Sequence, residues 1–201
     1  MGAPVERAVM SSLLELPPDL PVPQDDGAAA HLVGLSAPHL SLPSTAGGTV
    51  AIDELLPGRT IVFVYPMTGK PGAVLPEGWD AIPGARGCTS EACDFGDNHA
   101  DLLGAGASGV YGVSARDIDY QREAAERLRL PYALLSDADL LLAKRPGLPT
   151  FEAGGLRLFK RLTLIIRDGV IEHVFYPVFP PNEHAEQVLA WLRANPVTSA
   201  G

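Results

Sequence analysis

The two cysteines of the chain stand five residues apart, at Cys88 and Cys93, in one short segment that limits how this region can fold. Pro83-Gly84 precedes the segment and predicts a turn. Cys88, Ala92 and Phe95, with Leu102 and Leu103 further on, recur at a spacing that puts them on one face of a helix. The pattern therefore predicts that Cys88 begins a helix and that Cys93 lies inside it.

This placement has two physical consequences for the thiols. The start of a helix carries unpaired backbone N–H groups and partial positive charge, so a thiol there is expected to have a lowered pKa and to act as a nucleophile. Residues five apart on a helix have Cα atoms about 8.7 Å apart, whereas a disulfide needs about 7 Å or less. The pair can therefore join only if the first helical turns unwind, which favours a redox cycle over a structural disulfide.

The segment resembles the active site of a known family. Residues 87–95 read Gly-Cys-Thr-Ser-Glu-Ala-Cys-Asp-Phe, with Asp97-Asn98 beyond, and this run is similar to that of the peroxiredoxin Q family, also called bacterioferritin comigratory proteins. Two further stretches resemble the family's, the lead-in with Gly34, Ala37 and Pro38 and the run at residues 134–137.

The resemblance implies a thiol-dependent peroxidase. Cys88 would attack hydrogen peroxide or an organic hydroperoxide, and Cys93 would resolve the sulfenic acid as an intramolecular disulfide that thioredoxin or a relative reduces. Arg161, at the start of a strand before a hairpin, corresponds to the family's active-site arginine. Glu91 corresponds to the family's glutamate and would either fix the arginine network or only favour the first helical turn. No metal, flavin or haem is implied.

The loop before Cys88 departs from the family pattern. Ala81 and Ala85 stand where the family has a proline and a threonine, and about 15 residues, 67–82, are interpreted as an insertion. Thr68 is hypothesised to fold back and supply the missing hydroxyl. Trp79, within this insertion, would either line the entrance for the hydroperoxide or anchor the loop.

The remaining sequence predicts an α/β domain. A β-branched and aromatic run at residues 60–65 and a second run at 109–114 predict core strands, and Asp168-Gly169 predicts a hairpin between strands at 160–167 and 170–175. Helices are expected after Asp117 and after Asn182. This order fits a thioredoxin-like fold with a mixed β-sheet flanked by helices. We expect a proline-rich arm or linker at 1–30, the domain at 31–195 and a tail at 196–201.

Composition limits the alternatives. A net charge of −9 argues against nucleic acid and anionic membrane surfaces. No apolar run is long enough to span a bilayer and no signal peptide is predicted, so the cytoplasm is the expected compartment. A monomer or a homodimer is compatible with the cysteine pair. Three other interpretations stay open: inert buried thiols, a thioredoxin-fold disulfide oxidoreductase or redox sensor without fast peroxide turnover, and a binding protein that has lost activity. A zinc site is disfavoured because the five histidines, at 31, 39, 99, 173 and 184, lack zinc-like spacing.

Overall fold

A five-stranded mixed sheet forms the centre of the computed structural model, which describes residues 14–197. The strands are Ser41–Pro43 (β1), Thr49–Ala51 (β2), Arg59–Val64 (β3), Ala107–Ser114 (β4), Ala133–Ser136 (β5), Thr150–Ala153 (β6), Leu156–Phe159 (β7), Leu162–Arg167 (β8) and Val170–Phe175 (β9). The helices are Cys88–Asp97 (α1), His99–Gly104 (α2), Ile118–Leu128 (α3), Leu141–Lys144 (α4) and His184–Ala194 (α5), with 3₁₀ turns at Trp79–Ala81 and Pro181–Glu183.

The central sheet has the strand order β5-β4-β3-β8-β9. β3 pairs in parallel with β4, and β4 with β5, whereas β8 is antiparallel to both β3 and β9. Two antiparallel hairpins, β1–β2 and β6–β7, lie outside this sheet. The predicted mixed sheet with flanking helices is therefore confirmed.

Strand β3 separates two hydrophobic clusters because successive side chains of a strand point to opposite faces. Val62 and Val64 join a cluster with α4 and the β1–β2 hairpin. Ile61 and Phe63 join a second cluster that contains Cys88, Phe95 and the buried face of α5. The N-terminal end of α1 is thus packed against the centre of the sheet.

Several local predictions are confirmed, and three are corrected. The hairpin at Asp168-Gly169 is present, and Asp117 caps α3 through a 2.9 Å bond from the Tyr120 N–H to its carboxylate. The helix begun by Cys88 ends at Asp97, and a separate helix starts at His99. Asn182 does not cap the last helix, since it lies inside a 3₁₀ turn before α5.

The third correction concerns the β6–β7 hairpin, which the sequence-based prediction missed. Gly154-Gly155 connects its two short strands, both glycines with positive φ. This glycine pair between apolar residues is the signal that could have predicted it.

The described part of the proline-rich arm packs on the domain. Asp26 accepts a 2.6 Å bond from the Lys160 ammonium and a 2.7 Å bond from the Tyr176 hydroxyl. Residues 1–13 of the arm and 198–201 of the tail lie outside the described residues. Within residues 14–197, no helix has the length and apolar character to cross a membrane.

Candidate active site

Cys88 is the first residue of α1, as predicted. The preceding residue, Gly87, has φ of 99°, and a Cβ there would lie 2.3 Å from Pro181 Cγ, so only glycine fits this approach. Cys88 is 3% exposed. Its Sγ lies 3.4 Å from the Ala85 carbonyl oxygen, which accepts from the thiol.

Arg161 meets Cys88 from the residue just before strand β8. Its Nη2 donates to Cys88 Sγ at 3.2 Å and to the Arg86 carbonyl at 3.0 Å, while its Nη1 donates to the Glu91 carboxylate. The arginine is 3% exposed. One guanidinium therefore connects the sulfur, the loop before α1 and the first turn of the helix, because its donors form a planar fork.

The predicted lowering of the Cys88 pKa is wrong in direction. Burial raises the pKa of the thiol above its usual value, and this effect exceeds the lowering by the Arg161 guanidinium. The Glu91 carboxylate also raises this pKa, while the Met67 backbone N–H lowers it. The helix start was correctly predicted, but the depth at which the sulfur is buried could not be inferred from local sequence patterns.

Glu91 is fully buried in the first turn of α1 and faces Arg161. Burial raises the pKa of its carboxyl to about 7, and the Arg161 guanidinium acts in the opposite direction. Two roles were considered for Glu91: holding the arginine in place, or only favouring the first helical turn. Its ion pair with Arg161 matches the first role. The charge of Arg161 is shared between this carboxyl and the Cys88 sulfur.

Thr68 belongs to the segment of residues 67–82 and lies between Met67 and Gly69, which both line the cleft at Cys88. Its side chain is fully buried, and its Oγ1 has no hydrogen-bond partner within residues 14–197, so it does not bond to Cys88 here. Its backbone is fixed, because the Tyr120 hydroxyl donates to the Thr68 carbonyl at 2.5 Å. Next to it, the Gly69 N–H donates to Thr89 Oγ1 at 3.1 Å.

The segment of residues 67–82 contributes three side chains to a cleft at the sulfur. Met67, Leu75 and Trp79 line a narrow cleft together with Cys88. Trp79 is 4% exposed and belongs to a small apolar cluster with the β6–β7 hairpin. It therefore anchors the loop and also lines the cleft at Cys88.

Cys93 lies inside α1, half-buried, and both thiols are free. Burial raises the pKa of the Cys93 thiol, Asp97 raises it further, and Arg127 lowers it. Three contacts hold the helix around it. The Tyr132 hydroxyl donates to the Ala92 carbonyl at 2.6 Å, Asp94 accepts from the Ala185 N–H at 2.7 Å, and Phe95 stacks on Phe63 with ring centroids 4.3 Å apart. Sequence patterns did not predict these contacts, since each joins distant parts of the chain.

A mixed sheet with a cysteine at a helix start and an arginine aimed at its sulfur defines a thiol-based redox protein of α/β fold. The sequence matches the redoxin family over residues 32–189, and the chain belongs to that family.

Known relatives agree with this assignment. Chloroplastic peroxiredoxin Q of Gentiana triflora is 27% identical over 188 residues, which cover 90% of this chain and 78% of the relative. The Arabidopsis thaliana protein of the same name is 28% identical and covers 80% of this chain and 67% of its own length.

Solved structures show the same fold. Peroxidoxin BcpB from Mycobacterium tuberculosis superposes with a TM-score of 0.64 at 29% identity, covering 83% of this chain and 98% of that one. Xanthomonas campestris peroxiredoxin Q gives 0.60 at 19% identity, covering 88% and 98%. The fold is the thioredoxin-like fold of peroxiredoxins, and the function is that of a peroxiredoxin Q-type thiol peroxidase, an enzyme that acts on a peroxide.

Proposed function

We propose that Cys88 is the peroxidatic thiolate and that Arg161 activates both it and the bound peroxide. The observation that carries this proposal is the 3.2 Å contact between Arg161 Nη2 and Cys88 Sγ at the start of α1. The thiolate attacks one peroxide oxygen, so that an S–O bond forms and the O–O bond breaks. The leaving oxygen takes a proton and departs as water or an alcohol, and donors aimed at it lower the barrier.

Cys93 resolves the sulfenic acid in the next step. Its thiol sulfur attacks the Cys88 sulfur, a disulfide forms, and the hydroxyl of the sulfenic acid leaves as water. The helical spacing of the two residues in α1 requires the first turns to unwind before this attack. Closing the disulfide also protects Cys88 from further oxidation.

Glu91 and Thr68 are assigned supporting roles. Glu91 holds Arg161 through their buried ion pair, so that the guanidinium stays directed at the sulfur. Thr68 has a buried hydroxyl with no partner within residues 14–197, so it is available to bond to a peroxide oxygen. It would thereby replace the threonine that is absent at position 85.

A small dithiol protein of the thioredoxin type completes the cycle by thiol–disulfide exchange. Because both cysteines belong to one chain, a monomer is sufficient for turnover, and a homodimer is compatible with it. The domain of residues 31–195 carries the chemistry, with 1–30 as an arm and 196–201 as a tail. A reducing compartment such as the cytoplasm suits the two free thiols.

The test is peroxide consumption coupled to thioredoxin oxidation. Cys88→Ser should abolish turnover, whereas Cys93→Ser should still allow one oxidation of Cys88 but no thioredoxin-linked cycle. Equal loss of both steps in the two variants would instead favour a disulfide oxidoreductase or redox sensor without fast peroxide turnover.

A further inference from the structure

Cys88 lines a narrow cleft, and one wall of this cleft comes from the segment of residues 67–82. Met67, Leu75 and Trp79 form this wall. The cavity volume of the cleft is ≈ 10 Å³, which is about the minimum that holds one water molecule. The space next to the sulfur is therefore about the size of one water molecule, so hydrogen peroxide requires some movement of the wall and a bulkier hydroperoxide requires more.

This wall is packed rather than loose. Trp79 lies against Phe151 of the β6–β7 hairpin, with ring centroids 6.1 Å apart. Leu75 packs on the same cluster, which also contains Leu158 and Ala153. At the hairpin turn, a Cβ on Gly154 would lie 2.9 Å from Pro76 Cβ, so the segment and the hairpin are in close contact. Moving Leu75 or Trp79 aside would disturb this cluster.

A larger cavity beside Arg161 does not offer another formed route. Its volume is ≈ 340 Å³, and Val22, Ile82, Phe151 and Val178 are among its walls. Cys88 is not among the residues that line it. Gly84 belongs to its wall, and the next residue, Ala85, is fully buried with its carbonyl against the Cys88 thiol. Arg161 also lines this cavity and contacts the Cys88 sulfur, so its guanidinium and the loop before α1 together lie between the cavity and the sulfur.

We propose that Leu75 and Trp79 determine substrate size, so that the enzyme prefers hydrogen peroxide over hydroperoxides with bulky apolar groups. This inference rests on the proposed role of Cys88 as the attacking thiolate. Attack requires a peroxide oxygen in contact with the sulfur, which leaves any substituent on the other oxygen inside the cleft. Hydrogen peroxide carries only a hydrogen there, whereas a cumyl group would have to occupy space held by Leu75 or Trp79.

The experiment compares hydrogen peroxide with cumene hydroperoxide in single turnovers of the full chain. Rapid quenching followed by mass spectrometry measures the second-order rate constant for loss of the reduced protein with each peroxide. We expect wild type to react at least about tenfold faster with hydrogen peroxide, and Leu75→Ala to raise the cumene-to-hydrogen-peroxide ratio by about tenfold, since a few methyl groups in an apolar site change selectivity by that order.

Leu156→Ala is the matched control, because Leu156 packs on the same cluster but does not line the cleft. Its ratio should stay that of wild type. Trp79→Phe is a second variant, which retains an aromatic ring and provides the test if Leu75→Ala does not fold. It should also raise the cumene-to-hydrogen-peroxide ratio.

Three results would overturn the size filter: equal rates of wild type with both peroxides, an unchanged ratio in the folded cleft variants, or the same change in Leu156→Ala. If neither peroxide oxidises the thiol, the proposed role of Cys88 itself is refuted. The two failures are therefore distinguishable.

Discussion

His184 is a buried imidazole whose titration makes the stability of the fold depend on pH. It is fully buried at the start of α5, and its Nε2 lies 2.8 Å from Thr163 Oγ1, two residues beyond Arg161 in the chain. Burial lowers the pKa of this imidazole from 6.5 to about 4, the Gln187 side chain raises it, and the Arg161 charge lowers it.

The size of the effect follows from these two values. In the unfolded chain the imidazole takes up a proton near pH 6.5, but in the folded chain only near pH 4. The folded state thus binds fewer protons between these values, and stability is lost as the pH falls through this window. The loss attributable to His184 is about 2 kcal/mol from pH 7 to pH 5 and about 3 kcal/mol by pH 4.

The assay is urea unfolding of wild type and His184→Gln between pH 5 and pH 7.5. The advantage of wild type over the variant should shrink by about 2 kcal/mol from pH 7 to pH 5. Burial raises the pKa of Glu91 to about 7 and that of Asp94 to about 6, so both groups favour folding as the pH falls. Their contribution is present in both proteins and cancels in the difference.

One control addresses a contact next to the histidine. Asp94 accepts from the Ala185 N–H, one residue beyond His184, so the substitution could alter the titration of Asp94. The pair of measurements is therefore repeated in an Asp94→Asn background. The reasoning would be refuted if the difference in unfolding free energy between the proteins with His184 and with His184→Gln stayed constant across the pH range in both backgrounds.

Three other substitutions test the site. Glu91→Gln should lower the pKa of the Cys88 thiol, because the Glu91 charge raises it; iodoacetamide reactivity against pH in a Cys93→Ser background measures this, and an unchanged profile would contradict it. Arg161→Lys should slow single-turnover oxidation by hydrogen peroxide by about 100-fold, since one ammonium cannot replace both fork contacts; a wild-type rate would remove Arg161 from the mechanism. Tyr132→Phe removes the hydrogen bond to the Ala92 carbonyl, so disulfide closure should accelerate by about fivefold, as expected for about 1 kcal/mol, while Cys88 oxidation keeps its rate. Counting the free thiols after rapid quenching separates the two steps. Slower closure would argue against unwinding of α1 before the disulfide forms.

The predictions that held depended on local signals. The glycine turn before Cys88 and the apolar spacing after it located the start of α1, and Asp168-Gly169 located the β8–β9 hairpin, because turn and helix preferences act over a few residues. Capping by Asp117 is local for the same reason. The prediction that Asn182 caps the last helix was wrong because Pro181 begins a 3₁₀ turn, and the chain completes that turn before α5 begins.

The sequence by itself determined that two thiols share one helix, that Cys88 begins it, and that an arginine precedes a core strand. Only the tertiary structure decided how far the sulfur is buried, which groups share the charge of Arg161, and what covers the cleft. These depend on contacts between residues far apart in the chain, such as Glu91 with Arg161 and Trp79 with Phe151. The electrostatic effect of burial depends on this packing, so the direction of the Cys88 pKa could not be taken from the position of a cysteine along a helix.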